Sequence, residues 1–359
     1  MTWQRQALYW AVALVLFVAF LVTFSGILLP FVAGMILAYI LDPVADRFER
    51  WGLSRTAATI TILILFVLVF LLALLVIVPL LGNQLVEFIQ QVPQYIRSLH
   101  AVLMSDFVSN LIGQLPFNIS DAQSMVGNFL DEGISFITKL LTSLLSGGQA
   151  LLNIISLFVI TPVVAFYLLH DWDHLVAKLN SWLPRDHAPT IRRLAAEMSM
   201  MIAGFMRGQG LICVLLGLFY AVALTLVGLN FGLLIGLGIG LIGFIPFIGA
   251  ITGAVLSIGI ALAQFLPEQN YLAVVLVAAI FAIGQAVEGN VLQPWLLGDR
   301  VQLHPVWLMF SLFAFGALFG FLGLLIAVPT AACIGVLARF GIEQYLSSHL
   351  YLGDGPPEP

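Results

Sequence analysis

The chain has 359 residues, of which 61% are hydrophobic and only 9% are Asp, Glu, Lys or Arg. A soluble domain carries about 45–50% apolar and about 25% charged residues, so no globular fold could hide this much apolar surface from water. Lipid is therefore the solvent for much of the chain, and soluble enzymes, nucleic-acid binders and disulfide-stapled secreted domains are excluded together; the formal net charge of −5 suggests no polyanionic partner.

At about 20 apolar residues per span, a first span is predicted over 7–24. Arg5 precedes it, but the run exceeds a signal peptide's apolar region and no small-x-small cleavage pattern closes it, so it reads as retained. After a turn at Ser25-Gly26, a second span over 27–41 ends at Asp42-Pro43, and a third covers 56–82. Segment 83–146 is amphipathic. Leu85, Phe88, Ile89, Val92, Ile96 and Leu99 recur at helical spacing, and so do Met125, Phe129, Ile137, Leu140, Leu141 and Leu144, with Asp121 and Ser124 as start signals. A small helical subdomain is expected there, continuous with the spans on either side; helices lying on the membrane surface are the alternative. Asn118-Ile-Ser120 reads as a chance glycosylation sequon. A fourth span follows at 147–170, then a polar linker at 171–208.

Basic residues orient these spans. Arg47, Arg50 and Arg55 lie in 42–55, and Lys178, Arg185, Arg192, Arg193 and Arg207 in 171–208, whereas 83–146 holds only Arg97 and Lys139. The first two stretches and the N-terminus are expected in the cytoplasm, and 83–146 outside. The C-terminal stretch 343–359 reads as a cytoplasmic tail, disordered from Gly353 on.

The second half is built twice. The apolar stretch 231–264 has 34 residues, about 51 Å as helix, too long for one comfortable span and short for two. Gly243-Phe-Ile-Pro246-Phe-Ile-Gly249 breaks it in the middle. The stretch 305–338 has the same length, with Gly316-Ala-Leu-Phe-Gly320-Phe-Leu-Gly323 at its middle and Pro329 beyond. Each fits a re-entrant hairpin of two half-helices, and each follows one ordinary span, at 209–228 and 271–293. The resulting units, 209–264 and 265–342, would be inverted relative to one another, a recognised pointer to a transport site. The fold class is thus all-α and polytopic, with about six full transmembrane helices, two re-entrant hairpins in inverted repeats and an extracytoplasmic helical subdomain. Eight or more full spans with glycine-rich packing faces are the rival, since Gly232, Gly236 and Gly240 keep small-xxx-small spacing.

Ionisable residues inside a membrane are costly and default to functional candidates. Glu288 is the one charged residue between Tyr271 and Leu297. On a helix Gln285 is its i,i+3 neighbour and Asn290 and Gln293 lie close behind, a cluster able to bind a polar solute, a cation or a proton. A structural carboxyl near the helix end is the competing reading. Asp42-Pro43 reads as a helix stop. His170 and His174 have i,i+4 metal spacing, but the cluster His170-Asp171-Trp172-Asp173-His174 sits at a membrane exit without further ligands, and no metal is expected. Arg207-Gly-Gln209 opens the first repeat, with Arg207 placed to snorkel. Cys213 and Cys333 lie in apolar stretches and read as packing residues. Walker loop, nucleophile elbow and zinc-protease motif are all missing, so neither hydrolytic catalysis, a cofactor, nor ATP-driven transport by this chain alone is expected.

Several of these pieces resemble the AI-2E family of bacterial transporters (autoinducer-2 exporter-like, PerM-type permeases). They are Pro30 with Ala38-Tyr-Ile-Leu-Asp42-Pro43; Pro162 through Tyr167-Leu-Leu-His-Asp171; and Arg207-Gly-Gln209. Further along come Phe244-Ile-Pro246-Phe-Ile-Gly249, Glu288-Gly-Asn290-Val-Leu-Gln293-Pro294, and Gly298 with Leu303-His304-Pro305. Gly320-Phe-Leu-Gly323-Leu-Leu-Ile-Ala-Val-Pro329 completes the set. The pieces span nearly the whole chain, although 83–146 offers no matching pattern. The resemblance implies a bacterial inner-membrane secondary transporter of a small molecule or ion, with export of autoinducer-2 and sodium(lithium)/proton antiport both assigned within the family. The expected solute and ion sites lie between the two repeats, at the breaks Pro246 to Gly249 and Gly320 to Gly323 with Pro329, and Glu288 is the candidate coupling residue for H+ or Na+. Asp42, Pro43, Asp171, Arg207 and Gln209 would be structural or gating residues. A passive channel and a membrane assembly factor are the alternatives from other classes. Glycine-rich faces predict a homo-oligomer in the bilayer.

Overall fold

A computed structural model describes residues 12, 15–103, 148–298 and 304–352. The start of the first predicted span, the second set of amphipathic positions in 104–147, the sequon and the tail from 353 lie outside the described residues. Among the described residues there is no strand. Among those residues six helices are long and apolar enough to cross a membrane by length and composition: Gly26–Arg50, Arg55–Ala73, Ala188–Leu226, Ile248–Phe265, Tyr271–Leu297 and Pro305–Leu346. Large apolar side chains such as Leu75, Leu226, Leu272 and Phe313 are among the most exposed. Water would not tolerate such a surface, and lipid tails do. The molecule is an all-α polytopic membrane protein.

After helical residues 15–23, the elements are α1 (Ser25–Arg50), α2 (Arg55–Leu103), α3 (Gly148–Ser181), α4 (Ala188–Leu226), α5 (Gly232–Ile242), α6 (Ile248–Phe265), α7 (Tyr271–Val287), a π-helix (Glu288–Leu297), α8 (Pro305–Leu346) and α9 (His349–Leu352). The described chain forms two compact units. One contains residues up to Leu65, Ser156–Gly208 and the chain from Leu297; the other contains Phe66 to Ile155 and Gln209–Leu296.

In the first unit the turn between α1 and α2 is tied to α3. Arg55 donates to Asp42 Oδ1 and Asp46 Oδ1 at 2.9 Å and to Glu49 Oε2 at 3.0 Å, and its Nε donates to the Leu169 carbonyl at 2.9 Å. The three acids follow one another at one-turn spacing along α1, which is why one guanidinium can reach them all. Arg339 of α8 reaches Glu197 of α4 at 3.4 Å. Helix α8 is broken at Gly320 (φ 60°, ψ −136°), a backbone state that only glycine adopts readily. Its two halves fold back so closely that a Cβ on Gly323 would strike the Phe315 carbonyl.

In the second unit α2 keeps its helical course to Leu103. Its 49 residues reach about 73 Å, more than twice the hydrocarbon core. Tyr95, on its far arm, accepts a hydrogen bond from Asn230 Nδ2 at 3.0 Å, and Phe88 and Tyr95 meet the Phe231 ring edge-on. Helices α4 and α5 cross at glycines: a Cβ on Gly236 would collide with the Ala221 backbone. Helices α5 and α6 form a hairpin whose ends are tied together. Gln264 accepts from the Asn230 N–H at 2.8 Å and donates to the Gly228 carbonyl at 3.0 Å. At the tip, Gly249 packs against Gly243 with no room for a Cβ.

Candidate functional site

The break between α5 and α6, the middle of α4 and the end of α7 enclose a cavity of about 30 Å³, room for about two waters. Its lining includes Cys213 from α4, Gly243, Pro246, Phe247 and Gly249 from the hairpin tip, and Gln285 and Glu288. All lie in the second unit.

Glu288 accepts from Gln285 Nε2 at 3.1 Å through Oε2 and from Gln293 Nε2 at 3.5 Å through Oε1. The contact with Gln285 is the ordinary i,i+3 neighbour relation. The contact with Gln293 spans five residues, which an α-helix would turn well away from Glu288. The π-helix over Glu288–Leu297, with its i to i+5 repeat, is what brings the second amide round to the carboxylate. Such segments recur at functional sites because they re-aim side chains at a cost in regular packing. Asn290 faces elsewhere, donating to the Ala286 carbonyl at 2.9 Å from an exposed position. No cation pairs with Glu288 among the described residues.

Behind this cluster stands Tyr220, fully buried in α4. Its ring stacks on Phe281 at 5.7 Å, and its hydroxyl donates to the Phe281 carbonyl at 3.3 Å and accepts from Gln285 at 3.4 Å. Gly284 lets the ring lie directly against α7. Tyr220 thus holds Gln285, and Gln285 holds Glu288. Neither Tyr220 nor the lining position of Cys213 stood out in the sequence. A tyrosine inside an apolar helix is the signal that was available, since a buried hydroxyl needs a partner.

Gln209, only 3% exposed, donates from Nε2 to the Gly243 carbonyl at 2.7 Å. Helix α5 has just ended there, and its last carbonyls have no partner within the helix. Past Pro246, Phe247 has φ 66° and ψ −42°, and the Ile248 N–H returns to the Pro246 carbonyl at 2.8 Å. This is the rare, strained form of γ-turn, here on a bulky non-glycine residue.

The remaining sequence candidates belong to the first unit. Gly320, Gly323 and Pro329 sit in the broken helix α8, with Gly323 and Pro329 buried and Gly320 exposed. Asp42 binds Arg55 and Pro43 lies inside α1. Asp171 is exposed beside His170 (3.9 Å), and Arg207 is exposed on α4.

A helical membrane body with an interrupted-helix hairpin is the architecture of a membrane transport protein. The chain belongs to the AI-2E transporter family, whose profile, described as AI-2E family transporter, matches residues 11–341. PerM of Escherichia coli (strain K12), named as a permease, is 31% identical over 317 residues, covering 87% of this chain and 86% of that one. YueF of Bacillus subtilis (strain 168), named as a transport protein, is 26% identical over 349 residues, covering 92% and 90%. TqsA of E. coli (strain K12), named as an AI-2 transport protein, is 24% identical over 323 residues, covering 89% and 86%.

Proposed function

We propose that this chain is a proton-coupled secondary transporter of the bacterial inner membrane that exports a small polar solute of the autoinducer-2 type, with Glu288 as the coupling residue. The observation that carries the reading is a single carboxyl, held by two amides, in a small cavity at the tip of an interrupted-helix hairpin. A carboxyl without a paired cation can take up and release a proton as water gains or loses access to it. The cavity is far too small for a sugar-sized solute, which supports assigning it to the driving ion. The name of TqsA supports the choice of solute.

Two contacts support the topology that goes with this function. The Arg55 bond to the Leu169 carbonyl joins the α1–α2 turn to the end of the fourth span, which supports assigning both arginine-rich stretches to one side, the cytoplasm. The Tyr95–Asn230 bond joins the far arm of α2 to the α4–α5 turn, which supports assigning both to the outer side. The proposed topology has the α5–α6 hairpin re-entrant from outside and the broken α8 from the cytoplasm.

The test is flux in proteoliposomes under an imposed proton gradient, comparing wild type with Glu288→Gln. The amide keeps the size and most hydrogen bonds but cannot release a proton. Saturable export of labelled autoinducer-2, driven by the gradient in wild type and reduced at least tenfold in the variant, is expected; equal gradient-driven flux in both would remove Glu288 from the mechanism. A second reading, monovalent cation/proton antiport, is favoured by the ion-sized cavity. It predicts sodium or lithium flux with the same Glu288 dependence and no autoinducer-2 flux.

A further inference from the structure

We propose that the Gly243–Gly249 tip is the gate of the Glu288 cavity, with Gln209 as its latch and Phe247 as its plug. The proposal rests on the reading of that cavity as the coupling site.

Three observations converge on it. The tip is one wall of the cavity, and Pro246 and Phe247 stand on it facing the space that Glu288 lines. The wall is fastened from α4 by one strong polar bond, Gln209 Nε2 to the Gly243 carbonyl at 2.7 Å. In a dry interior that bond is expensive to break, because neither the amide nor the helix-end carbonyl would find another partner. Once water enters, both are satisfied by solvent and the fastening loosens. The latch therefore holds when the cavity is dry and yields when it is wet. That is the behaviour a coupling site requires if its carboxyl is to meet bulk water on one side at a time.

Phe247 supplies the other half. A phenylalanine at φ 66° and ψ −42° is held in a region that L side chains avoid, and it is 42% exposed, so dense packing on its ring does not compensate the strain. A conformation that is strained and loosely packed has a lower-energy alternative once its restraints are released. Here the restraints are the Ile248 N–H to Pro246 carbonyl bond and the Gly243–Gly249 contact that pins the two ends of the tip together. Rotation of Phe247 into an ordinary backbone region would carry its ring off the cavity and part the tip from α4.

Cys213 lines the same cavity and reports on it directly. The full-length protein carrying Cys333→Ser leaves Cys213 as the sole thiol, and its modification by N-ethylmaleimide is timed in proteoliposomes. Gln209→Leu keeps the bulk and deletes the donor. Phe247→Gly removes the ring and relieves the strain, whereas Phe247→Leu keeps both a plug and the strain. The expected result is a rise of about tenfold or more in Cys213 modification for Gln209→Leu and Phe247→Gly, and less than twofold for Phe247→Leu, with thermal midpoints in detergent near that of the parent. Rates within twofold of the parent for Phe247→Gly overturn the gate, as does acceleration by Phe247→Leu equal to that of Phe247→Gly. Should Gln209→Leu fail to fold, the Phe247 pair decides alone. The two readings fail separately. Loss of coupling in Glu288→Gln with no response of Cys213 removes the gate and keeps the coupling site; an opened Cys213 with gradient-driven flux intact in Glu288→Gln removes the coupling role and keeps the gate.

Discussion

At the scale of single residues, Arg55 and Tyr220 show how differently polar groups are held in the two units. The guanidinium of Arg55 is mostly buried, while its three carboxylate partners are more than a third exposed. Each ion pair is therefore worth about 0.2–1 kcal/mol, and the bond to the Leu169 carbonyl adds a charge-assisted contact between helices. Arg55→Ala is expected to lower stability by about 2 kcal/mol, read as a lower thermal midpoint in detergent. Arg55→Lys should recover less than half of that, because one ammonium cannot serve three carboxylates and a carbonyl together. Tyr220→Phe should cost about 1 kcal/mol for its hydroxyl, whereas Tyr220→Ala should cost about 3–5 kcal/mol, since the ring fills the space between α4 and α7. The same thermal assay separates the two. The pairing of Gln285 with Glu288 was legible in the sequence because helical spacing makes them neighbours. Tyr220 was not, because its importance depends on Phe281 and Gln285, more than sixty positions away. Phe247 was not legible either: a broken helix could be read from Gly243 and Pro246, but not which residue would carry the positive φ.

At the scale of elements, helix contact in lipid depends on small residues, because apolar side chains gain nothing by leaving lipid for one another. The α4–α5 crossing makes this measurable within one turn of helix. A Cβ on Gly236 would strike the Ala221 backbone, while a Cβ on Gly238 meets nothing within 4 Å. Gly236→Ala should destabilise by about 1–3 kcal/mol through overpacking, and Gly238→Ala should be neutral or stabilise by up to about 1 kcal/mol through helix propensity. Equal midpoints for the two variants would mean that the crossing is not close. The small-xxx-small spacing of Gly232, Gly236 and Gly240 marked a helix-packing face in the sequence, but not its partner α4. The π-helix was hidden. Helical spacing put Gln285 beside Glu288, as found, but the reach of Gln293 follows from a five-residue repeat, and Asn290, two residues on, faces away as i,i+2 neighbours on a helix do. Side-chain polarity carries no mark of that repeat, and Pro294, which lies inside the segment, marks only that the regular ladder must fail nearby.

At the scale of the whole molecule, the question is which faces of the membrane the hairpin ends occupy. Helix α5 has 11 residues, about 16 Å, roughly half the hydrocarbon core, so it ends before it can cross. The hairpin's two ends are joined through Gln264 to Gly228 and Asn230, and the proposed re-entrant path has the chain leave on the side from which it came. Helix α7 and the π-helix, together Tyr271–Leu297, are long and apolar enough to cross. Helix α8 breaks at Gly320 and brings Arg339 to Glu197 of the arginine-rich linker stretch, and the proposed topology starts it on the cytoplasmic face. Single cysteines in a Cys213→Ser, Cys333→Ser background test this in intact cells with a membrane-impermeant maleimide. Val227→Cys and Glu268→Cys are expected to be modified from outside, and Val306→Cys and Ser347→Cys only after the cells are opened. Pro246→Cys and Phe321→Cys, at the two tips, should react more slowly than any of these. Val227 and Glu268 on opposite faces would make 231–264 a single crossing. A Pro246→Cys that reacts as fast as Ser347→Cys, and like it only in opened cells, would make the hairpin two full spans. Either outcome removes the inverted arrangement, because an interrupted helix can present free backbone groups to an ion only if its break lies at depth and is covered by protein.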